Sequence, residues 1–359
     1  MKKKLFCFIT LIVMLIMPAT QVFASELNFA AKAELPDNQV NPDVSYFDIK
    51  MNPGAQQTLH VQLRNETEKP VTLDVELASA TTNLNGVVEY TPNMIKPAKS
   101  LQFNMKDYVK APKQTVIPAK GSTVLDLAVK MPDKSFNGVM AGGITLKEHG
   151  LSDQGGQASG KKVAIKNRFS YVIGLLMRQN LAAVPAHVKL NAVKPSQVNA
   201  RNVILTSMEN DTATFIQQVA VDAKIFAKGS NQALYQVAKE GLQIAPDTNF
   251  DFPIALAGKA LKPGTYVAKL EVYGNRQPNG KILRTTAEGK QHYRDHWTMT
   301  KQFTITEKAA STLNQRDVTI KPSHPQWTYI LIGAVIVLMA LIILLLILLL
   351  RRQAKKQAS

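Results

Sequence analysis

Two immunoglobulin-like β-sandwiches in tandem, followed by one transmembrane α-helix, are the all-β architecture that this 359-residue sequence predicts. Three features predict it. Period-two alternation of apolar and polar residues recurs along most of the chain, broken at short spacing by Pro, Gly and Asn turns, and no segment between the termini sustains a 3.6-residue stripe. An unbroken apolar run lies near the C-terminus, and a basic then apolar leader opens the chain. The single cysteine, Cys7, falls in that leader, so an exported region of about 300 residues must hold itself by burial without disulfides.

Taken in order, Lys2, Lys3 and Lys4 precede an apolar stretch from Leu5 to Met17, then Pro18 and Val22-Phe23-Ala24. This pattern predicts a signal peptide over residues 1–24, cut between Ala24 and Ser25. The first sandwich is expected over 27–150. In it Leu59, Val61 and Leu63 share one face, and Val71 to Leu77 alternates in the same way after a turn from Asn65 to Pro70, so the two strands read as a hairpin-like pair. A further strand from Val124 to Lys130 stops at Met131-Pro132, where proline cannot continue a ladder. Gly150 to Gly160, GLSDQGGQASG, reads as a loop or linker. The run from Phe169 to Met177 is apolar on both faces, as in a buried strand, and is compatible with completing the first sandwich; the second is assigned 160–306. There Val219 to Ile225 alternates, the turn Lys262-Pro263-Gly264 leads into a strand with Tyr266, Ala268, Leu270 and Val272 inward, and Phe303 with Ile305 closes the set.

A juxtamembrane linker is expected over 307–326, a transmembrane helix over 327–350 and a cytoplasmic tail over 351–359. At about 1.5 Å per residue the apolar run reaches roughly 36 Å, enough for a hydrocarbon core of about 30 Å with some tilt. Trp327 and Tyr329 are interface aromatics, and Arg351 and Arg352, with Lys355 and Lys356, mark the cytoplasmic side. The expected topology is single-pass type I, with the region between signal and span outside.

Seven of the basic residues behind the net charge of +17 sit in the leader and the tail, which leaves about +10 for the region between. Such a surface suits an anionic wall polymer, or serves solubility. It lacks the basic clusters with interleaved aromatics that nucleic acid requires, so no nucleic-acid partner is expected. No enzyme, cofactor or metal is expected either. Nucleophile elbow, HExxH and phosphate-loop motifs are absent, the carboxylates fall at outward strand positions or turns, and only His292-x-x-x-His296 has ligand-like spacing, in what reads as a polar loop leading into a strand. Candidate glycan or partner contacts are the aromatics Tyr46, Tyr90 and Trp297, although a lone strand aromatic is more often core. Thr82, Asn83 and Asn85 join them from a loop of small donors and acceptors, a composition that more often marks an ordinary loop.

Two strings in the first half, LPDNQVNPDVSYFDIKMNPGAQQTLHVQLRNETEKPVTLDVELASATTNLNGVVEY and MPDKSFNGVMAGGITLKE, resemble the first domain of the WxL-interacting proteins of Gram-positive bacteria. IAPDTNFDFPIALAGKALKPGTYVAKLEVYG and WTMTKQFTIT resemble that family's second domain, and the terminal span and basic tail continue the likeness. The resemblance implies a cell-surface protein with a peptidoglycan-binding domain, a host-binding domain directed at extracellular-matrix proteins, and WxL-domain partners. The chain has no W-x-L pair of its own, since Trp297-Thr298-Met299 and Trp327-Thr328-Tyr329 both fail at the third position, and no Leu-Pro-x-Thr-Gly sorting signal. The expected function is therefore a non-enzymatic, membrane-tethered scaffold or adhesin. The alternative is an immunoglobulin-like, chaperone-type assembly factor that donates an edge strand to exported surface proteins.

Overall fold

A computed structural model describes residues 28–150, 169–320 and 326–357. The expected signal peptide, its cleavage site at Ala24 and Ser25, and all but the first residue of the glycine-rich loop lie outside the described residues. The rest is dominated by strands, as the alternation predicts, in two sandwiches with separate hydrophobic cores.

The first sandwich packs a four-stranded sheet on a five-stranded one. One sheet has the order β1-β3-β9-β7, with β1 Phe29–Glu34, β3 Gln56–Asn65, β7 Val109–Lys110 and β9 Ser122–Lys130. The other has the order β2-β11-β10-β4-β8, with β2 Phe47–Lys50, β4 Val71–Ser79, β8 Gln114–Ile117, β10 Met140–Glu148 and β11 Ser170–Arg178. Leu59 pairs with Leu127 and Val61 with Leu125 on the inner face of the first sheet, opposite Leu73, Ile144 and Leu175 of the second. A one-turn helix, α1 (Met105–Tyr108), plugs Met105 into the same core.

The hairpin expected between β3 and β4 does not form, because the two strands lie in different sheets. Buried Asn65 holds the crossing: its Nδ2 donates to the Lys69 carbonyl at 2.8 Å and the Pro118 carbonyl at 3.1 Å, and its Oδ1 accepts from Thr67 N at 2.8 Å. Alternation cannot distinguish a hairpin from such a crossing, since both strands face one core. Strand β11 belongs to the first sandwich, between β10 and a parallel β2, so the change of sandwich falls after Arg178, beyond the glycine-rich loop.

In the second sandwich β12 (Val188–Val198), β13 (Arg201–Asn210) and β16 (Thr248–Ala255) form one sheet in the order β12-β13-β16. The other has the order β15-β14-β17-β19-β18, with β14 Ile216–Ala227, β15 Ala233–Ile244, β17 Gly264–Arg276, β18 Ile282–Thr286 and β19 Gly289–Ile305. Ala268, Leu270 and Val272 are fully buried as their alternation predicts, and they meet Phe250, Phe252 and Ile254 of the opposing sheet. His292 and His296 lie within the long strand β19 rather than in a loop. His292 Nδ1 contacts the Gly280 carbonyl at 3.0 Å, while His296 Nε2 contacts Glu271 Oε2 at 2.5 Å and stacks on Tyr273.

Residues 307–320, expected as linker, are part of this domain. Helix α2 (Glu307–Arg316) is capped by Thr306, whose hydroxyl accepts from Ala309 N at 3.2 Å, and it buries Ala310 against the core. Asn314 brackets Leu261 through both backbone groups at 2.8 and 2.9 Å, and Asp317 Oδ2 accepts from Asn202 N at 2.7 Å. Helix α3 (Gln326–Gln357) carries the run Ile330–Leu348, whose mean hydropathy is 3.5 and none of which is buried against the sandwiches. It is long and apolar enough to cross a bilayer, and both cores are complete without it.

Candidate functional site

A two-stranded ribbon ties the sandwiches together. Strands β5 (Thr81–Thr82) and β6 (Val88–Glu89) project from the first domain, joined by a turn at Asn85-Gly86. Gly86 adopts φ +72°, and a Cβ there would meet Leu242 of β15 at 2.8 Å, so only glycine brings the turn this close. Its carbonyl accepts from Gln243 N at 2.8 Å, and Thr82 Oγ1 accepts from Ala245 N at 2.9 Å. A small apolar cluster of Ala80, Val139, Ala141 and Leu176 from the first domain with Ala245 from the second seals the joint.

Beside this joint lies a groove of about 600 Å³ whose walls come from both domains. Two glycines let its walls approach the sheet. Gly143 of β10 and Gly174 of β11 are direct cross-strand partners on the outer face of their sheet, where neither contributes a side chain, and Gly174 lines the groove. A Cβ on Gly143 would lie 2.7 Å from the Cβ and the carbonyl oxygen of Tyr90, and one on Gly174 would lie 3.5 Å from the Cβ of Tyr46. Tyr90 thus rests on the sheet where a side chain at 143 would hold it off, while Tyr46 passes over Gly174 at ordinary contact distance.

The chain segments carrying the two rings are well fixed. Tyr46 precedes β2, which is locked to β11 by a two-pronged pair: Arg178 Nε and Nη2 donate to Asp48 at 2.8 and 3.2 Å, with Asp48 only 6% exposed. Gln39 Nε2 donates to the Tyr46 carbonyl at 2.9 Å. Tyr90 follows β6, where Glu89 accepts from Asn83 Nδ2 at 2.7 Å and from Asn93 Nδ2 at 3.1 Å. Burial raises the Tyr90 phenol above its ordinary pKa, and the nearby Tyr46 adds to the rise, so the hydroxyl stays a neutral donor. Tyr171 completes the aromatic lining from the first domain and Phe215 from the second, with Ser45, Ser170 and Gln217 as polar points and no charged side chain among the described residues.

The structure therefore brings Tyr46 and Tyr90 together and separates them from the remaining predicted contacts. Thr82 is 2% exposed and its hydroxyl is engaged with Ala245 in the joint. Asn83 braces its own turn, accepting from Asn85 N at 2.8 Å, and Asn85 is exposed at the turn's tip. Trp297 packs on the second core, its ring over Gly274, where a Cβ would meet it at 3.0 Å. Trp327, Tyr329, Arg351 and Arg352 fall within α3. Sequence reading overlooked Tyr171, Phe215 and the two glycines. A glycine inside a strand pattern marks a close approach of other backbone, and that is the signal Gly143 and Gly174 offered.

A family model described as the WxL Interacting Protein peptidoglycan binding domain matches residues 29–148, and one described as the WxL Interacting Protein host binding domain matches 160–315. Strand β11 falls in the second matched segment although it is hydrogen-bonded into the first sandwich. No curated protein matches the chain. Among solved structures, the YadV chaperone is similar at 12% identity over 78% of this chain and 100% of that one, with a TM-score of 0.28. The class 5 fimbriae chaperone CfaA is similar at 12% identity over 71% and 95%, with a TM-score of 0.26. The CupB2 chaperone of Pseudomonas aeruginosa is similar at 12% over 70% and 92%, with a TM-score of 0.24.

Proposed function

This chain belongs to the WxL-interacting protein family, and on that premise we propose that it is a membrane-tethered, non-enzymatic scaffold of the bacterial surface. Its first domain holds peptidoglycan, its second presents a face to host matrix proteins, and the pair recruits WxL-domain proteins. The observation that carries this reading is the joint one: both binding domains are matched in order, and a helix of spanning length follows them. The type I orientation rests on the basic residues beyond the apolar run, which favour the cytoplasmic side.

Charge offers a competing account of wall binding, because a region near +10 adheres to any anionic polymer at low salt. That attraction decays over a Debye length of about 8 Å at physiological ionic strength and shortens further in salt. The test uses residues 28–320, which contain both complete cores including β11 and α2. This protein is expected to pellet with peptidoglycan stripped of teichoic acid at half-molar salt, without releasing sugar or peptide, and to retain a WxL-domain protein from solubilised envelope. Binding that disappears in salt would reduce the reading to charge, and release of soluble fragments would make the protein an enzyme.

A further inference from the structure

We propose that the groove between Tyr46 and Tyr90 is a glycan site that takes uncharged pyranose rings of the wall polymer, and that it is complete only when both domains are docked. The proposal rests on the peptidoglycan reading and assigns it a place. Four aromatic side chains, Tyr46, Tyr90, Tyr171 and Phe215, converge on one concavity, with Gly174 in its lining and Tyr90 seated over Gly143. The C–H face of a sugar ring is apolar and weakly positive, so it packs against the electron-rich face of a phenol ring, while its hydroxyls leave at the edge. That edge requires donors and acceptors, and the groove has them in reserve.

Among the described residues the hydroxyls of Tyr46, Tyr90 and Tyr171 have no hydrogen-bond partner. Of the other described tyrosines only two have engaged hydroxyls, Tyr266 donating to the Lys262 carbonyl at 2.8 Å and Tyr293 to Gln291 at 2.9 Å. Three unengaged phenols around one hollow, with Gln217 and two serines at its rim, are a set of neutral polar points over an apolar floor. Among the described lining residues none is charged, and this selects among wall polymers. A teichoic acid phosphate or a stem-peptide carboxylate would be stripped of water here with no cation among those residues to meet it, whereas a pyranose loses nothing it cannot regain. At about 600 Å³ the groove lies within the usual range for small-molecule sites, so it accommodates a short stretch of glycan rather than a polymer face. Phe215 and Gln217 come from the second domain, so the first sandwich alone presents half a site.

The experiment titrates residues 28–320 with chitotetraose and with peptidoglycan glycan strands freed of their peptides, the lactyl carboxylates so exposed being capped as primary amides. Wild-type protein is expected to bind the strands, and Tyr46→Ala with Tyr90→Ala to weaken binding at least tenfold. The conservative variant Tyr90→Phe, which keeps the ring and removes the donor, should lose roughly threefold, and excess teichoic acid should not compete. Ring-proton shifts of labelled tyrosine in the unmutated protein guard against a variant that misfolds: they must move for Tyr46 and Tyr90 on adding glycan. If the double variant still pelleted with peptidoglycan as wild type does, or the tyrosine signals stayed fixed, the groove assignment would fall and the peptidoglycan reading would stand. If wild-type protein bound no peptidoglycan, the reading itself would fail first. Competition by teichoic acid would overturn the uncharged-glycan class.

Discussion

Replacing Thr82 with valine removes one oxygen from the joint between the domains and almost nothing else. Thr82 is 2% exposed and Ala245 is fully buried, and the Ala245 N–H has the Thr82 hydroxyl as its acceptor at 2.9 Å. Valine preserves the volume, so the packing of the neighbouring Ala80 and Leu176 is retained. The Ala245 N–H is then left without a partner in a site closed to water, which costs about 1–3 kcal/mol. A domain of this size responds to each kcal/mol with a fall of roughly 2–4 °C in Tm. Because the lost bond lies between the domains, the loss should appear as uncoupling rather than uniform weakening. Calorimetry of residues 28–320 should show the transition of the variant broadening or splitting, with its lower limb shifted down by about 2–12 °C. Hydrogen exchange at the Ala245 amide should accelerate at least tenfold, as a loss of about 1.4 kcal/mol implies, while amides in β9 and β17 keep their rates. Glycan affinity should fall as well, since Tyr90 rides on the same ribbon. An unchanged transition together with unchanged exchange at Ala245 would show that the ribbon contact does not couple the domains.

Three further outcomes follow from named groups. Burial pushes the Asp247 carboxyl up from its ordinary 3.8 to about 6, with Asp211 and Glu209 adding to the rise, so the fold prefers it protonated. Its contribution is fully present below pH 3.8 and is lost as pH rises through 6, so Asp247→Asn should raise Tm at pH 7.5 and flatten the profile between pH 4 and 6; identical profiles would refute this. Arg284, with a side chain 5% exposed, donates to Asp222 at 2.8 and 2.7 Å, and Arg284→Met should cost about 2–4 kcal/mol by stranding that carboxylate, with Asp222→Leu in the same chain restoring much of it; urea unfolding of the single and double variants decides. A chain ending at Ile320 should leave washed membranes for the soluble fraction, and persistence in the membrane pellet would require a second anchor.

Features that depend on local pattern were legible from the residues alone. Alternation at Leu59, Val61 and Leu63, and again at Ala268, Leu270 and Val272, is set by the two-residue period of a strand with one buried face, and every one of these residues is buried. The apolar run behind α3 was equally plain, because length and uniform hydropathy need no partner to be read. Pairing was not legible. Val71 to Leu77 shows the same alternation whether it returns beside β3 or crosses to the opposing sheet; its ladders with β10 and β8 place it across, and the buried amide of Asn65 braces the crossing. The attachment of β11 across a glycine-rich loop, and of α2 through Asn314 and Asp317, likewise depends on bonds to residues roughly 30 to 130 positions away. The candidate site was half visible for the same reason. Tyr46 and Tyr90 could be singled out as aromatics, but Gly143 and Gly174 acquire meaning only when β10 lies against β11, and Phe215 only when the second domain docks. Thr82 shows the converse: a residue whose composition suits an exposed loop is buried, because tertiary structure carries its ribbon into the neighbouring domain and engages its hydroxyl there.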